Sequence, residues 1–439
     1  AIDSAIDTMS KSESANALHS VREDIEKKLN QQNIEFDETS LKELFYSIVK
    51  EKVRGLILNG VRIDGRATDE IRPIEIETNL LPSVHGSCLF TRGETQALVS
   101  VTLGDSKDAQ MYELLSSPKA MNEHFMIHYN FPPYSVGEAR PIGAPGRREL
   151  GHGNLAKRAL EPTVRLEPNQ TIRVVSEILE SNGSSSMATV CGGSLALASA
   201  DIKIEKLTAG IAMGVVVENS EKYTILSDIM GAEDHYGDMD LKVAGTESGI
   251  TAMQLDIKLD GLNLNILKEA LTQAEAGIAH ILSLMEVAKK EIVPSGALPS
   301  ELTFRIDPSN ISLVIGKGGS TIRDIIGKFN VSIDLDRDNG NVKLSASEAE
   351  SLDKAKEFIE DLIVKENKAV TQYEIGKSYK GKVKKSVDFG YFIEMPDGYD
   401  ALLHNSKIPS HLQGTFKEGD DISVTVMSQQ KKRVELGLS

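Results

Sequence analysis

The spacing of apolar and polar positions divides the chain into four stretches. Over residues 1–59, "ALHSVREDIEKKLNQQ" and "DETSLKELFYSIVKEKVRGLIL" repeat apolar residues every three or four positions, which predicts amphipathic helices. The second run opens on Asp37-Glu-Thr-Ser, whose side-chain oxygens suit a helix N-cap. Over residues 60–296, short β-type runs ("GSCLFTRGETQALVSVTLG", "TIRVVSEILE", "KYTILSDIM") alternate with helical ones ("RRELGHGNLAKRAL", "ILKEALTQAEAGIAHILSLMEVAKKEI"), the mark of a mixed α/β or α+β domain. "VPSGALPSE" punctuates the chain as a linker. Residues 301–366 then read as a βααββα unit, and residues 372–439 as strands and turns only. The expected class is therefore multidomain α+β, with helices first and an all-β unit last.

Composition narrows the chemistry. With 49 basic and 65 acidic residues the net charge is −16, so any polyanion site has to be local rather than spread over the surface. Two cysteines, Cys88 and Cys191, form neither a disulfide framework nor a CxxC metal site; both lie in strand-like apolar surroundings and suit a reducing cytoplasm. No apolar run is long enough to span a bilayer and the N-terminal residues lack the pattern of an export signal, so a cytoplasmic protein without membrane association is expected. The sequence begins at Ala1 rather than a methionine, as a fragment or processed form does.

Four motifs carry chemistry. Gly316-Lys317-Gly318-Gly319 sits between two helical stretches, where bare glycines let backbone amides approach a sugar-phosphate chain and Lys317 adds charge; this is the signature of a KH domain. In "SNGSSSM", Ser184, Ser185 and Ser186 follow a turn at the end of a strand-like run, where successive N–H groups and hydroxyls can cradle a phosphate. No G-x-S-x-G elbow surrounds them, which disfavours a nucleophilic serine. In "GAEDHYGDMDLKV", Asp234 precedes a turn, and Asp238, Asp240 and Lys242 alternate along one predicted strand face; Asp234 and Asp240 are hard oxygen ligands suited to Mg²⁺ or Mn²⁺. Finally, Arg147 and Arg148 open a helical run with His152 one turn on, an arrangement that invites a phosphate.

The last stretch resembles the RNA-binding OB-fold barrel first described as a repeat in a small-subunit ribosomal protein. Phe389, Phe392 and His404 match its base-stacking positions and Arg433 its basic contact, while Ser428 stands where that family usually has an acidic residue. Taken together, "VRIDGR", "GSCLFTRGETQALV", "HYNFPPYSVGE", "GRRELGHGNLAKRAL", "SEILESNGSSSMA" and "SDIMGAEDHYGDMDLKVAGT", followed by KH and OB units, resemble the bacterial polynucleotide phosphorylase family nearly end to end.

That resemblance implies a helical linker domain (1–59), the second RNase PH-like core domain with ribosomal protein S5 domain 2-like βαβ layers (60–296), a KH domain (301–366) and an OB-fold domain (372–439). It implies that Ser184, Ser185 and Ser186 bind an attacking orthophosphate, that Arg147, Arg148 and His152 grip substrate phosphates, and that Asp234, Asp240 and Lys242 form the metal and acid–base cluster. Ala232 replaces a frequent acidic residue nearby. The implied activity is phosphate-dependent, processive 3′-to-5′ degradation of single-stranded RNA to nucleoside 5′-diphosphates, reversible as template-free polymerisation and serving mRNA decay. Mg²⁺ or Mn²⁺ is the implied cofactor, a homotrimer the implied assembly, and a helicase or endoribonuclease of an RNA-degrading complex the implied company. Family members carry a further RNase PH-like domain ahead of the helices, which this sequence does not contain. A catalytically silent RNA-binding subunit and a hydrolytic nuclease are the competing readings: any turnover excludes the first, and phosphate dependence the second.

Overall fold

In the computed structural model, the described residues are 2, 5, 11–116, 119–293, 295, 297, 300–346, 348–368, 373–430 and 433–439. The chain divides into two compact units, Ala1–Leu298 and Pro299–Ser439.

The first unit begins with helices α1 (Lys11–Gln31) and α2 (Glu38–Leu58). Asp37 caps α2 as its sequence suggested, its carboxylate accepting the Ser40 N–H at 2.7 Å. Val49, Val53 and Ile57, four residues apart on one face of α2, pack on Ala212, Val216, Leu226 and Ile229 of the domain that follows. Strands β1 (Ile74–Thr78), β2 (Gly86–Arg92) and β3 (Thr95–Gly104) come next, then a hairpin of β4 (Gln110–Glu113) and β5 (Ala120–Glu123), and β6 (Phe125–Asn130). After helix α3 (Arg147–Leu160) come β7 (Thr171–Glu180), α4 (Ser185–Ser199), β8 (Ala209–Val217), β9 (Tyr223–Ser227), the short helix α5 (Gly231–Tyr236), β10 (Met239–Thr246), β11 (Gly249–Ile257) and the long helix α6 (Leu264–Lys290).

These strands form one sheet of order β1-β2-β3-β7-β6, antiparallel except for the β6–β7 pair, and an antiparallel sheet of order β11-β10-β8-β9. One apolar core joins both sheets to α3, α4 and α6. Helix α4 is buried along nearly its whole length, which explains its small residues: a Cβ on Gly192 would meet Val99 at 3.0 Å, and one on Gly193 would meet Leu160 at 2.9 Å. Cys88 lies on β2 as expected, but Cys191 lies on α4 and not in a strand-like setting. Burial on every side leaves α4 no polar face, and so no helical period to read. Both thiols are buried and free, and burial pushes both upward, Cys191 to about 11.

The second unit opens with β12 (Ser300–Arg305), α7 (Ile311–Ile315), α8 (Ser320–Phe329), β13 (Ser332–Leu335), β14 (Asn341–Ala346) and α9 (Ala349–Lys368), the predicted βααββα order with an antiparallel sheet β12-β14-β13. Strands β15 (Ser378–Val387), β16 (Gly390–Glu394), β17 (Asp400–His404), β18 (Asp421–Gln430) and β19 (Arg433–Leu438) close into a barrel of order β15-β16-β17-β19-β18, as an OB-fold requires. No helix among the described residues is long and apolar enough to cross a membrane.

Candidate active site and RNA-binding surfaces

The serine run forms the N-terminus of α4. Ser184 is the N-cap, held in the left-handed region (φ 51°, ψ 51°), a conformation that costs a non-glycine residue energy and collects at functional turns. Gly183 before it has φ +100°, and a Cβ there would lie 2.4 Å from the Ile229 carbonyl, so only glycine lets the turn approach this neighbour. The first amides of α4 have no carbonyl one turn back, and the helix dipole favours an anion there. The hydroxyls of Ser184 and Ser186 are buried without a hydrogen-bond partner, whereas Ser185 Oγ lies 2.7 Å from the Tyr129 hydroxyl.

Three further elements converge on this turn. Tyr129 comes from β6 and meets the His152 ring of α3 edge to face, with 5.5 Å between centroids. His152 feels the charges of Lys242 and Arg148; burial first, then these two cations, lowers its pKa to about 4 and leaves the imidazole neutral near pH 7. Its Nδ1 is buried and unpartnered. On β10, Asp240 and Lys242 share a face and form an ion pair; Lys242 is only 6% exposed. Asp240 lies opposite Asp256 of β11. Burial raises the Asp240 pKa, Lys242 opposes that shift, and the charges of Asp234 and Asp256 add to it. Oδ1 of Asp240 is buried and has no hydrogen-bond partner.

One expectation for this acidic stretch needs correction. Asp234 does not precede a turn but lies within helix α5, where Lys258 reaches its carboxylate at 3.4 Å. Asp238 stands just before β10, which begins at Met239, and accepts from Arg54 of α2 at 2.7 Å and from the Val217 N–H at 2.8 Å. Its role is to fasten the helical segment to the core. Arg147 and Arg148 open α3 as expected; both are exposed, and the Arg148 guanidinium lies 6.0 Å from the Phe131 ring.

The spacing of the motifs does not reveal the charge network behind the serine turn. Arg92, fully buried on β2, donates to the Ser184 carbonyl at 3.0 Å and pairs with Asp228 at 2.8 Å. Arg72 donates to the Asn182 carbonyl at 2.7 Å and forks onto Asp228 at 2.7 and 2.8 Å. The Asn182 amide donates to Glu94 at 2.6 Å and its carbonyl oxygen accepts the Gly231 N–H at 3.2 Å, which ties the serine turn to the start of α5. Arg62 grips Glu233 of α5 at 2.7 and 2.6 Å. Charged residues inside apolar strand runs ("LFTRGE", "TILSDIM") are the available signal, because such groups are buried only with partners.

Whether the site suits a divalent cation turns on its oxygens. Among the described residues no group of three or more His, Cys, Asp or Glu side chains is arranged around a common point. Mg²⁺ asks for less: one or two carboxylates, with water and substrate phosphate completing its shell. The unpartnered, desolvated Oδ1 of Asp240, with Asp234 near enough to raise its pKa, fits that requirement.

In the second unit the Gly316–Gly319 turn joins α7 to α8, with φ of +73°, +61° and +77° at Gly316, Gly318 and Gly319. A Cβ on Gly316 would fall 2.1 Å from Thr321 Oγ1, whereas Gly318 faces open space beside the exposed Lys317. Arg323 donates to the Gly318 carbonyl at 2.9 Å and braces the turn. Replacing Lys317 with alanine is expected to weaken single-stranded RNA binding and to flatten the log–log salt dependence of affinity by about 0.7, the increment for one RNA phosphate that the protein no longer neutralises. Fluorescence anisotropy across a salt series reads both; an unchanged slope would mean that Lys317 touches no phosphate.

On the barrel, Phe389 is 50% exposed and lies 6.5 Å from the His404 ring at 25° between planes, a ready stacking surface. Phe392 alternates with buried Tyr391 and Ile393 on β16 and so points away from the barrel core. Ser428 donates to Glu435 at 3.1 Å. Arg433 opens β19, and its side chain lies outside those described.

Comparison with known proteins finds matches to four stretches of the chain. A model of the polyribonucleotide nucleotidyltransferase RNA binding domain matches residues 1–67, and one of the 3′ exoribonuclease family, domain 1, matches residues 70–203. A KH domain model matches 301–361 and an S1 RNA binding domain model 372–439. Proteins named polyribonucleotide nucleotidyltransferase align along the whole chain. The one from Sulfurovum sp. is 57% identical over 99% of this chain and 60% of its own length. Those from Sulfurimonas denitrificans and Wolinella succinogenes are each 54% identical over 100% of this chain and 61% of theirs. The chain thus spans about 60% of the length of these curated relatives. A solved structure, that of rice (Oryza sativa) Rrp46, superposes on 52% of this chain and 100% of its own at 20% identity and a TM-score of 0.43, too slight a likeness to bear on the fold.

Proposed function

The chain belongs to the polyribonucleotide nucleotidyltransferase family, and from that premise we propose that its protein degrades single-stranded RNA from the 3′ end by phosphorolysis. One observation carries the reading. Of nine buried side-chain polar atoms without a hydrogen-bond partner among the described residues, four lie in the predicted site: the hydroxyls of Ser184 and Ser186, Nδ1 of His152 and Oδ1 of Asp240. Each such atom costs about 1–3 kcal/mol when left unsatisfied. Two sit at the α4 N-terminus, His152 packs on the Tyr129 that reaches the same turn, and Asp240 pairs with the Lys242 whose charge His152 feels, which supports a place that a polar ligand completes.

The serine turn supplies N–H and O–H donors and no fixed charge, which suits orthophosphate as attacking group. An orthophosphate oxygen attacks the phosphorus of the last phosphodiester, the bond to the preceding 3′-oxygen breaks, and that oxygen takes a proton as the shortened RNA leaves. The product is a nucleoside 5′-diphosphate. Neutral His152 donates or accepts a hydrogen bond without adding charge, Arg147 and Arg148 hold phosphates of the RNA, and Lys242 opposes the charge that develops on the transferring group. Asp240 and Asp234 would hold Mg²⁺ or Mn²⁺, which when bound neutralises phosphoryl oxygens. Exchange of a phosphodiester for a phosphoanhydride leaves the reaction near balance, so excess diphosphates drive RNA synthesis without a template.

The Gly316–Gly319 turn and the rings of Phe389, Phe392 and His404, with Arg433, bind the RNA, the stacking being tolerant of sequence. A homotrimer in the cytoplasm, associated with a helicase or endoribonuclease in mRNA decay, is the setting we propose. The test is to incubate the full-length protein with single-stranded RNA and Mg²⁺, with and without orthophosphate. Diphosphates appearing only with phosphate support the proposal; monophosphates without phosphate would indicate hydrolysis, and no turnover a binding protein.

A further inference from the structure

The serine turn leaves unexplained why a tyrosine is buried against it. Tyr129 is 4% exposed, and its hydroxyl finds Ser185 Oγ at 2.7 Å. Its ring meets the His152 ring of α3 edge to face and lies nearly parallel to the Phe131 ring at 6.3 Å, and α3 packs closely over β6 there, a Cβ on Gly153 falling 3.3 Å from the Tyr129 Cβ. A phenol so placed is held in one position, and either hydroxyl of the pair can donate.

Ser185 has one hydrogen to give. Orthophosphate presents acceptors, so the hydroxyl serves it only if that hydrogen points outward and another group supplies a hydrogen to the serine oxygen. Resting on the phosphate-cradle reading above, we infer that Tyr129 is a positioning residue for orthophosphate: its O–H donates to Ser185 Oγ and commits the serine hydrogen to the anion. Burial, the largest influence on the phenol, pushes its ionisation well above the usual tyrosine range, so it keeps its proton at any pH at which the protein works. The relay holds no charge and transfers no proton; it sets a direction.

Tyr129→Phe keeps the ring and deletes the relay. The KM for orthophosphate is expected to rise about three- to tenfold, the scale of one neutral hydrogen bond, while the KM for RNA and the melting temperature stay near wild type. The decisive comparison adds Ser185→Ala. If Tyr129 acts through Ser185, then Tyr129→Phe in the Ser185→Ala background produces no further rise. An unchanged phosphate KM in Tyr129→Phe overturns the inference, as do effects that multiply in the double variant or losses that fall equally on RNA and phosphate. A wild-type protein whose RNA degradation ignores orthophosphate would instead overturn the phosphate cradle itself, and with it this use of Tyr129.

Discussion

Replacing Asp240 with asparagine is expected to lower phosphorolytic turnover by about 10²–10³ at saturating RNA and phosphate, the scale seen when one preorganised electrostatic group is removed from a site of developing charge. The change is nearly isosteric, so packing on β10 survives it. What disappears is the charge of a carboxylate with one oxygen turned to Lys242 and the other buried without a partner. Binding of RNA through the KH and barrel surfaces should be unaffected, which separates loss of chemistry from loss of substrate. Steady-state rates together with RNA affinity read the two independently. A variant with wild-type turnover would remove Asp240 from the mechanism, and one that loses RNA affinity in step with rate would point to misfolding.

Arg92→Met should produce the largest loss of stability. Arg92 and Asp228 are both 0% exposed, and breaking a buried pair by removing one partner costs about 3–5 kcal/mol because the remaining charge is stranded. Arg72 and Arg66 still reach Asp228, which places the expected cost near the lower end of that range. The same substitution frees the Ser184 carbonyl from its donor, so whatever folds should also bind orthophosphate less tightly. A pH signature accompanies the effect. Burial, the strongest influence, pushes the Asp228 carboxyl up, but the guanidinium groups of Arg92, Arg72 and Arg66 more than reverse it and hold it well below the usual carboxylate range. A group depressed on folding contributes its stability in full above its unfolded pKa of about 3.9 and loses it as pH falls toward the folded value. The wild type should therefore lose stability below about pH 4 through this group, and Asp228→Asn, weaker at neutral pH, should lose less over the same interval. Urea midpoints for the two proteins at neutral and acid pH make the comparison; parallel acid losses would show that Asp228 carries no such linkage.

Sequence pattern is most informative where structure is local. The Asp37 cap, the apolar stripe of α2, the glycine turn at Gly316–Gly319 and the alternation along β16 each depend on residues a few positions apart, and each stands where its spacing predicts. Pattern is silent where burial is complete or partners are distant. Helix α4 has no polar face, so nothing distinguishes its run of small residues from a strand, and the setting expected for Cys191 fails with it. Asp238 alternates with Asp240 and Lys242 in the sequence, but only the fold brings Arg54 against it. Arg92 and Asp228, or Tyr129 and Ser185, are far apart in sequence, and what each contributes exists only after β2, β6, α4 and the segment before α5 come together.

In the proposed mechanism orthophosphate, not water, is the attacking group. This is tested most directly by supplying radiolabelled orthophosphate to the full-length protein with unlabelled single-stranded RNA and Mg²⁺, and locating the label in the products. Nucleoside diphosphates carrying the label in the β-phosphate, the phosphorus that came from solution, are the expected product. Unlabelled nucleoside monophosphates, released at the same rate whether or not orthophosphate is present, would contradict the mechanism.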